Sequence, residues 1–194
     1  MATYKEKVGT SVVNYAGNYP GAVDGELWYD STNKDFKYQY PNVTAAGSWR
    51  TQANMNTARE VNGAGTVYTA ALAFGYGSAV TELWGGSSWT TVNSLNTAKP
   101  LSAGFGASDS AINCGGEVSS ANSALTELWN GTNWTEVNDM NTGRYGLAAA
   151  GVSNSSGIVF GGANPNYANA ETWNGTNWTE VADLNTARKY LSGL

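Results

Sequence analysis

The sequence predicts an all-β protein, a closed four-bladed β-propeller that forms a single domain over residues 1–194. Three observations predict this fold. A motif recurs along the chain at spacings of 40, 45 and 44 residues. The composition includes 24 glycines and only 13% charged residues, which is typical of many short strands joined by turns. Alternating segments are joined by Asn-Gly, a strong signal for a tight hairpin.

The recurring motif is Asn-Thr, then Ala or Gly, then Arg or Lys, and it begins at Asn56, Asn96, Asn141 and Asn185. A tryptophan precedes each asparagine by seven residues, and in three repeats a second tryptophan lies five residues further upstream. The tryptophans are Trp49, Trp89, Trp134 and Trp178, with Trp84, Trp129 and Trp173 upstream. Recurrence at this period is the sequence signature of a propeller. It favours packing between blades over a carbohydrate-stacking platform as the role of these rings.

Each repeat contains four candidate strands. A run of small residues such as 144–151 follows the motif, and an apolar run ending in glycine, such as 158–162, comes next. The alternating Thr-Glu-Leu-Trp segment is typical of a half-buried strand, and a tight turn joins it to Trp-Thr-Glu-Val. Four strands in about 45 residues correspond to one propeller blade.

The two ends of the chain are predicted to share the fourth blade. Aligning Glu26 with Glu171 brings Val13 onto Ile158 without a gap. Residues 11–50 would then supply three strands, and residues 188–194 would supply the innermost strand and pair with the segment from Val12 to Ala16. A blade shared in this way closes the ring and removes exposed sheet edges.

Composition excludes several classes of function. The net charge is −5 and the ten Lys and Arg residues are scattered, so no basic stripe is available for nucleic acid. No segment approaches the roughly 20 apolar residues of a membrane span, and no signal peptide is visible, so a soluble protein without membrane insertion is expected. Cys114 is the single cysteine, which excludes an intrachain disulfide.

The residues also argue against catalysis, so no catalytic residue, cofactor or metal site is predicted. The chain has no histidine, the commonest general base and metal ligand. Cys114 lies in an apolar strand, where an inert buried thiol is expected. A glutamate and a basic residue recur once per repeat and are predicted to be structural partners that fix strand register. They are Glu26, Glu82, Glu127 and Glu171, and Arg59, Lys99, Arg144 and Arg188.

Features that do not recur are better candidates for binding. An insertion from about residue 29 to residue 48 carries Phe36, Tyr38 and Tyr40 at alternate positions, which predicts a projecting hairpin with one aromatic face. The loops between the second and third strands differ in every repeat. Their tyrosines are Tyr19, Tyr76 and Tyr167. Variable loops on a rigid frame often carry binding, although simple drift of loop sequence explains the variation equally well.

Two resemblances add to this interpretation. The glycine pairs at 115–116 and 161–162, the two spaced tryptophans and the closing basic residue resemble Kelch-repeat propellers over nearly the whole chain. Residues 25–40 resemble a short hairpin module common in bacteriophage tail-fibre and other virion proteins. The low-charge repeats built on Asn-Thr-Ala-Arg and Asn-Gly-Thr-Asn-Trp also resemble Kelch-like proteins of phages from aquatic environments.

These resemblances imply a non-enzymatic virion protein whose propeller recognises a host surface, a glycan for example, or attaches a fibre. Its expected partners are other virion proteins or a host-surface glycan, within an oligomeric assembly. A capsid or tail decoration protein, or an adaptor without receptor binding, is the first alternative. A cellular Kelch-type protein-interaction module is the second.

Overall fold

The computed structural model describes residues 13–17, 19, 27–38 and 51–193, and all regular secondary structure in these residues is β. The prediction of an all-β protein is therefore confirmed. The chain divides into two compact units, Met1–Arg50 and Thr51–Leu194. The single domain and the closed four-bladed ring stay predictions.

The described strands are numbered in chain order. They are β1 (Val13–Tyr15), β2 (Leu27–Asp30), β3 (Asp35–Tyr38), β4 (Asn62–Val67), β5 (Ala70–Phe74), β6 (Thr81–Trp84), β7 (Trp89–Val92), β8 (Ala103–Ala107), β9 (Ser110–Cys114), β10 (Glu117–Val118), β11 (Ala121–Asn122), β12 (Thr126–Trp129), β13 (Trp134–Val137), β14 (Ala148–Ser153), β15 (Ser156–Phe160), β16 (Ala170–Trp173) and β17 (Trp178–Val181).

The second unit contains three four-stranded antiparallel sheets, each built from one repeat. Their strand orders are β4-β5-β6-β7, β8-β9-β12-β13 and β14-β15-β16-β17. We call them the first, second and third sheets. The four strands that the sequence predicts for a repeat are therefore present in these three repeats. The loop between β9 and β12 also forms a small hairpin, β10-β11, that the sequence does not predict.

The first strands of the three sheets lie side by side, with β8 between β4 and β14. Glycines permit a close approach between successive sheets. A side-chain carbon on Gly104 would come within 2.6 Å of the Phe74 ring, and one on Gly157 within 2.3 Å of the Phe105 ring. The first and second sheets therefore each present an aromatic ring to a glycine in the sheet that follows.

Two hydrophobic clusters fill the space between successive sheets. The cluster between the first and second sheets contains Ala64, Leu72, Phe74, Leu95, Ala111, Trp129 and Trp134. The cluster between the second and third sheets contains Ala103, Phe105, Ile112, Cys114, Met140, Leu147, Ala149, Val159, Trp173 and Trp178. The core of this unit is thus distributed between sheets, where burial of large rings contributes most of the apolar area.

The repeated tryptophans join each sheet to the one before it. Trp129 and Trp134 pack across their hairpin with ring centroids 5.4 Å apart. Trp134 Nε1 donates a hydrogen bond to Thr81 Oγ1 of the first sheet at 2.9 Å. In the same way Trp178 Nε1 donates to Thr126 Oγ1 of the second sheet at 3.1 Å. The burial of both donors supports packing, and not exposed sugar stacking, as the role of these two rings.

The first unit forms a three-stranded sheet, β1-β2-β3. Its β1-β2 pair is parallel, with Val13 opposite Trp28. The alignment with the last repeat implies otherwise, because the corresponding strands β15 and β16 are antiparallel. Local hydrogen bonds explain the difference, since Ser31 N donates to Tyr15 O at 2.8 Å and so fixes the end of β1 beside the turn after β2.

The strand predicted over residues 188–194 is absent from its described part, residues 188–193. The prediction is wrong there because Tyr190 adopts a φ of 56°, which interrupts an extended chain. Leu101 and Gly146 hold the same repeat position and have φ values of 56° and 59°. In those repeats the strand begins two residues later, at Ala103 and Ala148, so residues 188–191 correspond to a turn and not to a strand.

Candidate functional site

The structure brings together three of the four predicted pairs of glutamate and basic residue. Arg59 lies 2.5 Å from Glu82, Lys99 lies 3.5 Å from Glu127, and Arg144 lies 2.6 Å from Glu171, measured between nitrogen and oxygen. All six side chains are nearly inaccessible to solvent. Of the fourth pair, Arg188 is exposed and donates from Nε to Thr186 O at 3.4 Å. Glu26 lies outside the described residues.

Each of these carboxylates also accepts hydrogen bonds from the main chain of the Asn-Thr motif that precedes its sheet. Glu82 accepts from the amides of Asn56 and Thr57 at 2.7 and 3.2 Å. Burial alone would raise the pKa of Glu82, but the hydrogen bonds from Arg59 and the two amides outweigh burial and hold it below its usual value. A carboxylate held ionised by three donors is suited to fixing a loop and not to donating a proton.

Lys99, the partner of Glu127, and Cys114 are both fully buried. Burial lowers the pKa of Lys99, although the charge of Glu127 opposes the shift. Burial also raises the pKa of the Cys114 thiol to about 12. The nucleophilic thiolate is therefore scarce at neutral pH, in agreement with the inert role expected from the sequence.

The predicted insertion, about residues 29–48, overlaps a hairpin in which β2 pairs directly with β3, from Leu27 opposite Tyr38 to Asp30 opposite Asp35. The bounds of the insertion stay a prediction. Phe36 is 60% exposed and packs edge-on against Tyr29 with centroids 5.2 Å apart. Tyr38 is the last residue of β3, opposite Leu27. Tyr40 lies outside the described residues.

Asp30, which the sequence analysis did not single out, organises the turn of this hairpin. Its buried carboxylate accepts hydrogen bonds from Gly17 N at 2.8 Å, Thr32 N at 2.9 Å and Asn33 Nδ2 at 2.7 Å. Burial opposes ionisation, but these bonds outweigh it and lower the pKa of Asp30 to about 2. The signal available in the sequence is an aspartate immediately before a Ser-Thr-Asn turn.

Acid titration is expected to loosen this turn with a midpoint near pH 2. The folded pKa lies below the usual value of about 3.9, so the stabilisation is present above that value and is lost as the pH falls through about 2. Nuclear magnetic resonance of the Thr32 and Asn33 amide protons between pH 5 and pH 1.5, roughly the range that spans both pKa values, measures this.

A matched control exists in the second sheet. Thr132 N and Asn133 N donate to the neutral Oδ1 of Asn130 at 3.0 and 2.9 Å, in the same turn geometry. Their amide protons are expected to show no such titration. A midpoint near 3.9, the usual aspartate value, for Thr32 would contradict the assigned role of Asp30.

The three loop tyrosines occupy different surroundings. Tyr19 is half-buried in the first unit, with its ring centroid 5.4 Å from that of Tyr15. Tyr167 is half-buried in the loop between β15 and β16, where its amide donates to Gly162 O at 3.0 Å. Tyr76 is half-buried with a φ of 58° and lines a cavity of about 400 Å³.

This cavity, which we call the mouth cavity, lies within the second unit where β4, β8 and β14 begin. Its rim carries Tyr76 and Tyr190, and its polar lining includes Asn62 and Ser102. A second cavity of about 400 Å³ is lined by Val67 and Phe105 among others. Both cavities are lined by Gly63, Gly104, Ala149 and Gly193. The two cavities therefore adjoin each other along the first strands.

Tyr190 is a mouth residue that the sequence analysis missed. Its amide donates to Gly146 O at 2.7 Å, and its ring lies so close that a side-chain carbon on Gly146 would meet it at 2.9 Å. The ring is 61% exposed. The available signal was that the other repeats place Val61, Leu101 and Gly146 at this position, so an aromatic ring occurs there once.

No protein-family model and no curated protein matches the sequence. A comparison of folds finds similarity to a solved structure described as "Structure of YjhT", with 16% sequence identity and a TM-score of 0.47. The match covers 59% of this chain and 42% of that protein, so this chain spans less than half the length of the structure it matches.

Among the described residues, no group of three or more His, Cys, Asp or Glu side chains is placed to hold a metal ion. The same part of the chain contains no helix long and apolar enough to cross a membrane.

Proposed function

We propose that this chain is a non-enzymatic virion protein whose four-bladed, Kelch-like propeller recognises a host-surface glycan or attaches a fibre. The observation that carries the proposal is the mouth cavity, an uncharged concave surface rimmed by Tyr76 and Tyr190. Tyrosine rings offer rigid, amphipathic contact area, and concave sites with a few polar groups are the usual form of a small-ligand site.

The propeller is supported by the way the three sheets of the second unit associate. Successive sheets pack through a hydrophobic cluster and a tryptophan hydrogen bond, as blades do. Trp89 occupies the same repeat position as Trp134 and Trp178 but is only half-buried. In the proposed ring, residues 11–50 supply the fourth blade.

The non-enzymatic assignment rests on what the ionisable groups do. The recurring glutamates Glu82, Glu127 and Glu171 are engaged by a cation and by main-chain amides. A glutamate that recurs with the same contacts in each of these three sheets has a structural role, and no catalytic role is needed to explain it. The thiol of Cys114 is buried and protonated at neutral pH. The proposal therefore assigns binding, and not chemistry, to the mouth cavity.

A second role, as an adaptor that docks on another virion protein, is favoured by one observation. Phe36 is 60% exposed on the β2-β3 hairpin, and the surrounding segment resembles a hairpin module of tail-fibre proteins. An exposed aromatic ring of this kind suits a protein interface. In this role the hairpin, and not the mouth cavity, carries the partner.

Mass spectrometry of purified phage particles is expected to detect the protein, and the fluorescently labelled protein is expected to bind host cells. Binding should fall when the cells are treated with periodate, which destroys surface glycans. Phe36→Ala should leave cell binding unchanged in the recognition role and should reduce incorporation into particles in the adaptor role. Absence from particles together with no binding to host cells would refute both roles.

A further inference from the structure

The most unusual polar residue of the second unit is Asn113. It is fully buried, and both atoms of its amide group, Oδ1 and Nδ2, have no hydrogen-bond partner. The equivalent residues of the first and third sheets are Ala73 and Val159, which are apolar. Packing therefore does not require an amide at this position, and a buried amide without a partner is unfavourable.

Asn113 lies next to the polar lining of the mouth cavity. A side-chain carbon on Gly75 would come within 2.6 Å of Asn113 Nδ2, 3.0 Å of Asn62 Nδ2 and 3.1 Å of Ser102 Oγ. Asn62 Nδ2 donates to Ser102 Oγ at 2.9 Å. The three polar side chains thus converge beside Gly75, and two of them, Asn62 and Ser102, line the cavity. We call these three residues the amide cluster.

The lining of the mouth cavity sets the chemistry of a ligand. None of its lining residues in the described part of the chain carries a charge, and its polar side chains are an amide and hydroxyls. Aromatic rings at the rim stack on the apolar face of a sugar ring. A polar group in the lining that loses its water when a ligand binds needs a new hydrogen-bond partner, and a ligand hydroxyl can supply one. An anionic ligand would lose solvation without gaining a cation in the lining.

We propose that the mouth cavity binds one ring of a neutral saccharide, which stacks on Tyr190 and donates or accepts hydrogen bonds at the amide cluster. This inference rests on the proposed function and adds the ligand class and the residues that select it. Asn62 and Ser102, which line the cavity, contact the ligand, and Asn113 lies behind them as a positioning residue. A ligand that displaces water from Asn62 and Ser102 without supplying a hydroxyl leaves their polar atoms unpaired, and this cost discriminates against it.

Saturation-transfer nuclear magnetic resonance of the intact protein tests the ligand class. The probes are glucose, galactose, mannose and N-acetylglucosamine, with glucuronic and galacturonic acids as charged counterparts of the same ring size. A neutral member of the panel is expected to bind, and its uronic acid to bind about tenfold more weakly. Lys189 lies outside the lining with its ammonium 5.4 Å from the Tyr190 centroid. A preference for the uronic acid would therefore assign the ligand to that cation and overturn the neutral class.

Three variants test the location. Tyr190→Ala, Asn62→Ala and Asn113→Ala are each expected to weaken binding about tenfold. Tyr68→Ala is the control, because Tyr68 is 87% exposed and is not part of the mouth cavity. It should bind like the parent protein. Asn113→Ala should also keep or raise the melting temperature. It introduces the alanine that the first sheet has at the equivalent position, Ala73, and it removes an unpaired buried amide.

The outcomes separate this inference from the proposed function. Weakened binding in Asn113→Ala at an unchanged melting temperature supports the amide cluster. Binding that survives both asparagine variants overturns it, as does failure of every sugar in the panel to bind. If the protein still binds host cells in a periodate-sensitive manner after either result, glycan recognition stands and the mouth cavity is not its site.

Discussion

Replacing Glu171 with glutamine is expected to lower the free energy of unfolding by about 3–5 kcal/mol, because it leaves a buried cation without its counter-charge. Arg144 has no accessible side-chain surface, and its Nη1 lies 2.6 Å from Glu171 Oε1. Nε and Nη2 of the same guanidinium already have no hydrogen-bond partner. The guanidinium of an arginine is always charged, so loss of a proton cannot relieve the cost of the buried charge. Chemical denaturation at neutral pH measures the loss.

The matched control is Glu180→Gln, since Glu180 faces Glu171 across the β16-β17 pair and is exposed. We expect a change within about 0.5 kcal/mol there. Glu127→Gln should cost less than Glu171→Gln, because its partner Lys99 can lose its proton. Burial lowers the pKa of Lys99, so the unfolded state binds more protons and the deficit should shrink as the pH rises toward about 10. Unchanged stability in Glu171→Gln with a loss of ligand binding would instead make these residues a binding site.

Trp134→Ala is expected to cost about 3–5 kcal/mol. The ring of Trp134 is 5% exposed and lies 4.9 Å from that of Phe74 between the first and second sheets. The substitution also leaves the buried hydroxyl of Thr81 without its donor. Trp134→Phe keeps most of the apolar contact but removes the donor, so it should cost about 1–2 kcal/mol. Equilibrium unfolding in denaturant distinguishes the two variants.

The same substitution at two other positions extends the test. Tyr68→Ala, at a residue with 87% exposure, should change stability by no more than about 0.5 kcal/mol. Trp89 holds the same repeat position as Trp134 but is only half-buried, so Trp89→Ala should cost about half as much as Trp134→Ala. An equal cost at the two positions would contradict the assignment of the loss to burial of the ring.

Much of the second unit could be predicted from sequence because its signals recur. Each sheet repeats Thr-Glu-Leu-Trp or a close variant, so the strands and the alternation that buries Glu82 and Trp84 follow from period-two patterning. The pairing of Glu171 with Arg144 follows from their joint recurrence. The turn at Tyr190 could not be inferred in this way. Positive φ angles are uncommon for residues other than glycine, so a tyrosine gives no sign in the sequence that the chain turns there.

The candidate site was less predictable than the fold. Tyr76 could be identified as a candidate binding residue because it lies in a loop that differs between repeats. Tyr190 could not, because it falls within the segment predicted as a strand. Asn113 was hidden by the apolar run around it, since a single polar residue does not disturb the strand pattern. The parallel β1-β2 pair could not be inferred either, because residue alternation is the same in parallel and antiparallel strands.

The contacts of the recurring glutamates define where one building block of this fold starts and stops. Glu127 is held by Asn96, Thr97 and Lys99, which precede its own sheet along the chain. A segment that began at β8, the first strand of this sheet, would therefore lack the residues that donate hydrogen bonds to Glu127. A segment from Asn96 to Val137 carries all of them, and Asn96 Nδ2 also donates to Trp134 O at 3.2 Å within it. Tandem arrays designed from consensus copies should be joined just before the Asn-Thr motif. Every copy then contains both its recurring glutamate and the residues that donate hydrogen bonds to it.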